Sequence, residues 1–311
     1  MKTISLVVPV FYEEDCILQF IKEVKEAFAK LNHQYKYEFV FIDDGSRDKT
    51  TELIKGEAAK DPQIKLIEFS YNHGKQWAVT AGIKYATGDY MIYMDPDLQD
   101  PPEEIHRFIE EIEKGFDLVF GIRKEKKDNV VNVLFSKIFW WVLEKFTGLK
   151  LPKGIAVMRI FNRKFADKFL TYPEQNRFIE GIFMHVGLKQ TTIEIQQRDR
   201  FAGVSKFNFR RKMKLAFDAI FDFSELPLKM AVKFGFYLMF LSILALLTIV
   251  VLRLFFIKFQ IGWPSIIITI IGATGILLYF IGVLAIYIGR IYKEVKARPL
   301  FSIKELTNIN E

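Results

Sequence analysis

Two aspartates one residue apart, Asp95 and Asp97, sit in MDPDLQDPPE, residues 94–103, directly after the apolar run Tyr90 to Tyr93. Carboxylates at i and i+2 of an extended segment share one face, so both can meet a hard divalent cation that phosphates also hold. At the carboxyl end of a strand, where open α/β sheets take their ligands, such a pair predicts a nucleoside-diphosphate site. A second acidic pair, Asp43 and Asp44, ends another apolar run in IDDGS, residues 42–46, with Gly45 to turn the chain and Ser46 to cap a helix. These two could accept hydrogen bonds from a base or a ribose. The first apolar run delivers Pro9, Phe11 and Glu13 to its own carboxyl end. Taken singly, each motif also fits a solvated turn or a capped strand-to-helix junction. Their convergence on one rim points to a ligand.

The elements that must position them follow a rhythm. Apolar runs Ile4 to Val10, Glu38 to Ile42, Ile64 to Phe69, Tyr90 to Tyr93 and Asp117 to Gly121 alternate with helical patterns Asp15 to Leu31, Lys49 to Lys60, Lys75 to Ala86 and Pro102 to Lys114. Strand, helix, strand predicts an α/β fold, a parallel sheet with helices on both faces. A dinucleotide-binding domain would place Gly-x-Gly-x-x-Gly after the first strand. The chain reads VPVFYEED there, with no glycine to admit a pyrophosphate. A further helical pattern, Val130 to Phe146, carries Phe135, Phe139, Trp140 and Trp141 and suits either the bilayer surface or the sheet.

The C-terminal part is lipid-like. Gly235 to Phe256 carries one charge, Arg253, and Trp263 to Gly289 carries none, so each clears the roughly 20-residue spanning length. The short connection Ile257 to Gly262 makes the pair a hairpin with both ends on one side. Lys206, Arg210, Arg211, Lys212, Lys214, Lys229 and Lys233 precede it and Arg290, Lys293, Lys296 and Arg298 follow it, whereas the connection holds Lys258. By the positive-inside rule the N-terminal domain and both termini face the cytosol, and the protein is a multi-pass protein of the cytoplasmic membrane. The expected organisation is a catalytic domain over residues 1–200, amphipathic juxtamembrane helices over 201–231, two spans within 232–292 (about 234–257 and 263–289) and a cytosolic tail over 293–311. The net charge of +7 clusters beside the hairpin, which suits anionic headgroups rather than nucleic acid. A lone Cys16 excludes an internal disulfide, and the four histidines show no metal-ligand spacing. Small residues Gly282, Ala285 and Gly289 allow close helix contact, within the hairpin or between subunits of a homo-oligomer.

The ordered blocks resemble the family 2, GT-A-fold glycosyltransferases that load sugars onto polyprenyl phosphates, such as bactoprenol glucosyltransferases and dolichol-phosphate mannose synthases. The resemblance runs from residue 4 to about residue 303. It rests on VPVFYEE, IDDGS, NHGKQWAVTAGIKYATGDY, MDPDLQDPPE, DLVFGIRK, LPKGIAVMRIFNRK, FAGVSKFNF and GRIYKEVKARPLF. It implies a GT-A domain in which Pro9, Phe11, Glu13, Asp43, Asp44, Lys75, Asp95 and Gln99 bind the nucleotide. Asp95 and Asp97 would hold Mg2+ or Mn2+ against the diphosphate, and Asp95, Asp97 and Arg123 would be catalytic. Arg123, Ser136, Arg200, Ser205 and Lys206 match the positions that handle the acceptor phosphate, and arginine suits phosphate by its forked donors. Lys206 to Phe223 also reads as an interfacial amphipathic helix, where the acceptor headgroup would lie.

Three departures from the family pattern stand out. Phe11 and Tyr12 replace part of the usual Pro-x-Tyr-Asn-Glu, Tyr71 replaces an arginine, and Val157 replaces an aspartate proposed as a base. The loss of that base is tolerable, because a phosphate monoester has a second pKa of about 6 and attacks unaided near neutral pH. Asp97 and Glu180 remain as carboxylates that could orient it, Glu180 serving equally well as a structural helix residue. One displacement inverts the anomeric centre. The donor ranking is UDP-glucose, then UDP-N-acetylglucosamine, then GDP-mannose, to undecaprenyl or another polyprenyl phosphate for cell-envelope glycosylation. Two alternatives compete: a processive polysaccharide synthase, suggested by Gln197 to Phe201 but short of spans for a tunnel, and a non-catalytic membrane scaffold, at odds with intact Asp95, Asp97 and Gln99.

Overall fold

A computed structural model describes residues 1–31, 34–123, 144–145, 152, 154–175, 177–198, 201, 226–255 and 263–309. The first half alternates as the sequence predicts: β1 (Thr3–Val10), α1 (Ile17–Ala29), β2 (Lys36–Asp43), α2 (Thr50–Ala58), β3 (Ile64–Phe69), α3 (Lys75–Tyr85), β4 (Tyr90–Tyr93) and, after a 3-10 turn at Pro102–Glu104, α4 (Ile105–Glu113). There follow β5 (Leu118–Arg123), β6 (Ile155–Asn162), α5 (Arg163–Leu170), α6 (Ile179–His185), β7 (Gln190–Ile195), α7 (Leu226–Phe255), α8 (Trp263–Lys296) and β8 (Ile303–Thr307).

Burial explains the elements. Residues 4 to 10 of β1 are all buried, as a central strand covered on both faces requires. Ile4, Leu6, Val8 and Val10 pack with Ile17, Phe20, Ile21 and Val24 of α1, spaced three and four apart, while Val7 faces Ala78, Val79 and Ala81 of α3 on the other side.

The eight strands lie in the order β7-β5-β6-β4-β1-β2-β3-β8. Most neighbours are parallel, but β6 runs against β4 and β5, and β8 against β3. The carboxyl ends of β1, β2, β3, β4, β5 and β7 therefore share one rim with the amino ends of β6 and β8. From β1 the chain proceeds to β2 on one side and later to β4 on the other, so the order reverses between β1 and β4. Such a switch point opens a crevice beyond the strand ends.

Residues 303–307 fall in the stretch expected to be a tail, yet they form an edge strand, with Leu66 opposite Thr307 and Phe69 opposite Ile303. Among the described residues two helices are long and apolar enough to cross a membrane, over Pro227–Ala245 (mean hydropathy 1.6) and Thr269–Lys296 (2.3). Among the described residues neither span is buried, and the lipid-like exterior they present suits membrane association. They meet at Phe234 and Phe280, whose ring centroids are 6.3 Å apart.

Candidate active site at the switch point

The crevice has a definite origin. The β1–β4 ladder ends at Val7 opposite Tyr93, with the Met94 N–H reaching the Val7 carbonyl at 3.3 Å. Two residues on, Pro9 turns its nitrogen to the same side, where it has no N–H to leave unsatisfied once β4 has diverged. On its other side β1 stays paired with β2 up to Val10 opposite Asp43. Phe11 to Glu13 thus leave β1 on one wall, and the Asp95–Asp97 segment leaves β4 on the other.

On the β4 wall, Asp95 accepts the Lys75 ammonium at 2.6 Å, from the first residue of α3. The Asp95 carboxylate and the Tyr93 hydroxyl outweigh desolvation and hold Lys75 above its ordinary pKa, so it stays protonated. Asp97 is nearly buried, its Oδ1 accepting the Gln99 N–H at 3.2 Å and its carbonyl accepting the Phe201 N–H at 3.3 Å. Pro96 and Asp97 belong to a turn and Leu98 has φ 57. The pair does not lie on an extended segment, and strand alternation is therefore not what orients it. Proline fixes φ where the ladder has ended, and the chain bends there instead.

This turn is anchored by groups to which the sequence reading gave no such role. Asp100 accepts the Met158 N–H of β6 at 2.8 Å and the Gln197 amide at 2.6 Å, and the Gln99 carbonyl accepts the Arg198 N–H at 3.0 Å. Gln197 opens the Q-x-x-R-F stretch, whose spacing was the available signal. Against the Tyr93 ring lies Arg159, fully buried among the rings of Tyr93, Phe120 and Phe183 and donating to the Val157 and Ala156 carbonyls. Its guanidinium stands 3.9 Å from Glu180, and Asp95, Arg159 and Glu180 all act electrostatically on Tyr93. Val157 shares the strand face of Arg159, and no carboxylate stands at that position.

On the β2 wall, Asp43 lines a cavity of about 670 Å³ together with Phe11, Tyr12, Tyr71, Asn72 and Lys304. That volume falls within the usual size of small-molecule sites. Its carboxylate also accepts the Ser46 N–H at 3.1 Å and the Thr51 hydroxyl at 2.7 Å. Asp44 departs from its expected contact with the base or ribose. It is buried, lies outside the cavity wall, and accepts the backbone N–H groups of His73 (2.7 Å) and Gly74 (2.9 Å), so it holds the loop after β3. Burial pushes its carboxyl up to about 6. The fold therefore binds a proton that the unfolded chain has released. The stability this proton lends is full below about pH 4 and is lost as the pH rises to about 6, on the order of 3 kcal/mol. Thermal melts from pH 4 to 7 should show wild type losing ground to Asp44→Asn as pH rises; a constant gap would refute this.

Tyr12 sits at φ 56, a left-handed conformation costly for a non-glycine residue, with its N–H on the Ser46 hydroxyl at 3.0 Å. Glu13 caps the start of α1 through its carbonyl, and its carboxylate meets the buried Cys16 thiol at 3.3 Å. Burial, Glu13 and Asp97 raise that thiol's pKa, which makes it inert. Arg123 ends β5, exposed on the rim. Ser136, Arg200, Ser205 and Lys206 lie outside the described residues, as do the Lys206 to Phe223 pattern and nearly all of Val130 to Phe146.

A cation fits this wall by donor chemistry. Asp95 and Asp97 are hard oxygen donors, and among the described residues no three His, Cys, Asp or Glu side chains converge to form a closed cage. The remaining ligands would have to come from phosphate oxygens and water, as is usual for Mg2+.

The profile of Glycosyl transferase family 2 matches residues 5–170, which span β1 to α5. The chain belongs to that family. Curated relatives match nearly end to end. This family 2 chain is 37% identical over 302 residues to the bactoprenol glucosyl transferase of Shigella phage SfX, covering 97% of this chain and 98% of that one. It is 36% identical over 304 residues to a prophage bactoprenol glucosyl transferase homolog of Escherichia coli K12, covering 97% and 99%. It is 35% identical over 302 residues to the uncharacterized glycosyltransferase YkcC of Bacillus subtilis, covering 97% and 93%. Among solved structures, the mannosyltransferase PcManGT of Pyrobaculum calidifontis in complex with GDP-Man and Mn2+ is 16% identical, with TM-score 0.49 over 94% of this chain and 86% of that one. At that score the likeness adds nothing to the sheet seen directly.

Proposed function

We propose that this family 2 transferase moves a hexose from a nucleoside-diphosphate sugar to a polyprenyl phosphate at a membrane surface, inverting the anomeric centre. The observation that carries this reading is the near-complete match, apolar helices included, to bactoprenol glucosyl transferases. The crevice at the switch point supports it. In this reading the cavity between Tyr12, Asp43 and Tyr71 takes the nucleoside, and the diphosphate runs toward Asp95 and Asp97. Those two carboxylates would hold Mg2+ or Mn2+, which when bound supplies a Lewis acid for the leaving diphosphate.

The chain's own groups do the rest. Lys75 balances Asp95 and stands ready to meet a diphosphate oxygen. Arg123, with Arg200, Ser136, Ser205 and Lys206, would steer the acceptor phosphate, whose oxygen is already deprotonated near neutral pH. Val157 offers no base, and none is needed. Catalysis then comes from holding the attacking oxygen in line, together with charge stabilisation. The Lys and Arg excess flanking the apolar helices supports a catalytic domain and both termini on the cytosolic side of a bacterial inner membrane. UDP-glucose and UDP-N-acetylglucosamine are the favoured donors. The test is the purified full chain with undecaprenyl phosphate, Mn2+ and a panel of nucleotide sugars. A lipid-soluble hexosyl phosphate detected by mass spectrometry is expected; insoluble polymer, or sugar absent from the organic phase, refutes it.

A further inference from the structure

The chain leaves α8 at Lys296 and returns at once to the rim. Phe301 stacks on Phe69 of β3, with centroids 5.3 Å apart and planes 12° apart. Both the N–H and the hydroxyl of Ser70 donate to the Ser302 carbonyl, at 3.0 and 3.2 Å. The Ser302 N–H in turn donates to Nε2 of His73 at 3.2 Å. Ser302, beyond the last apolar helix, thus grips both ends of the loop Ser70 to His73. The loop's other side hangs on Asp44, and it runs through Gly74 into Lys75, the partner of Asp95. Beyond the grip, Lys304 is exposed and lines the cavity together with Tyr12 and Asn72, with its ammonium 3.3 Å from Glu68.

The helix end is itself held. Gln175, in the loop before α6, donates its N–H to Glu294 at 2.7 Å and its side-chain amide to the Arg298 carbonyl at 2.9 Å. A displacement of the end of α8 would therefore pull on a short, bonded path into the cavity wall. Loops that shape ligand sites are ordinarily positioned by the scaffold beneath them. Here part of that scaffold arrives from the membrane.

We propose that residues 297–307 are a working part of the donor site: Ser302 and His73 position the wall that carries Tyr71 and Asn72, and Lys304 presents a cation to the anionic nucleotide. Donor binding and the seating of α8 are thereby linked. This rests on the donor reading given above. His73 and Ser302 are positioning residues, whereas Lys304 would touch the nucleotide.

Hydrogen exchange on the full chain in lipid nanodiscs, with Mn2+ and with UDP or GDP added, tests it. Nucleotide should slow exchange at residues 11–13 and 94–99, at 70–74, and also at 300–305. Protection of the first two stretches with 300–305 unchanged overturns the inference alone, and protection nowhere overturns the donor reading beneath it. As a second measure, His73→Phe should raise the nucleotide Kd about fivefold to tenfold with the polyprenyl phosphate KM unchanged. His73→Gln, which keeps an acceptor for the Ser302 N–H, should restore it. Equal shifts for donor and acceptor in His73→Phe would mark a merely structural residue. Should that variant fail to fold, Lys304→Gln, at an exposed side chain, must by itself raise the nucleotide Kd, or the proposal is wrong.

Discussion

Asp97→Asn is expected to cut kcat/KM for sugar transfer by at least about 10³-fold while leaving the melting temperature nearly unchanged. The substitution is nearly isosteric, and the amide oxygen can still accept the Gln99 N–H that the carboxylate accepts at 3.2 Å. The turn should therefore survive. What disappears is one negative charge on the crevice wall, and with it the oxygen donor set for a cation beside the diphosphate. A factor of 10³ corresponds to about 4 kcal/mol of barrier, within reach of a single charged group beside a metal-bound diphosphate. Radiolabel extracted into organic solvent gives the rate, and calorimetric titration of UDP with and without Mn2+ separates binding from chemistry. Turnover within tenfold of wild type would remove Asp97 from the diphosphate site. Asp95→Asn should lose activity too, but with a stability cost, because Lys75 would lose the partner 2.6 Å away.

The central sheet was legible because its signals are local. Alternating apolar runs and amphipathic helices mark β1 to β5 within a few residues of where they lie, since each element must bury its own apolar face. The rim was legible for the same reason: Asp43 and Arg123 end β2 and β5, Phe11 follows β1, Asp95 lies two residues past β4, and parallel strands deliver their ends to one side. Partners distant in sequence were not legible. Asp43 and Asp44 are adjacent and chemically identical, yet one lines the cavity and the other is spent on the backbone of His73 and Gly74. That difference is set by where the β3 loop passes, which no spacing within IDDGS records.

The edge strand β8 shows the same limit. Five residues with mixed polarity after two apolar helices read as a tail, because an edge strand buries little and its stabilising pairs lie on β3, far back in the sequence. Asp100 and Gln197 were likewise hidden by separation. Their 2.6 Å bond ties the turn after β4 to the segment after β7; the Q-x-x-R-F spacing marked Gln197, but nothing in either stretch records that Asp100 is its partner. The turn at Pro96 is a subtler case. The aspartates were found by spacing, but the chain bends between them, and the position of the bend depends on where the β1–β4 ladder stops.

Gly45→Ala should destabilise the protein by about 2–5 kcal/mol and weaken nucleotide binding beyond what the stability loss alone explains. Gly45 has φ 81, where a Cβ is strained by about 1–2 kcal/mol. The added methyl would also stand 2.9 Å from the Asn72 nitrogen and from the Tyr71 carbonyl carbon. Those are backbone atoms, so no side chain can swing aside, and the β3 loop itself must move. The loop is restrained by Asp44 on one side and by Ser302 on the other, which leaves displacement toward the cavity as the way out. Chemical denaturation gives the stability change, and UDP titration with Mn2+ at a temperature where the variant is folded gives the affinity. A variant of unchanged affinity would separate the Gly45 turn from the nucleotide pocket. A variant of unchanged stability would show that the β2 turn and the β3 loop do not meet as closely as the wall of the cavity requires.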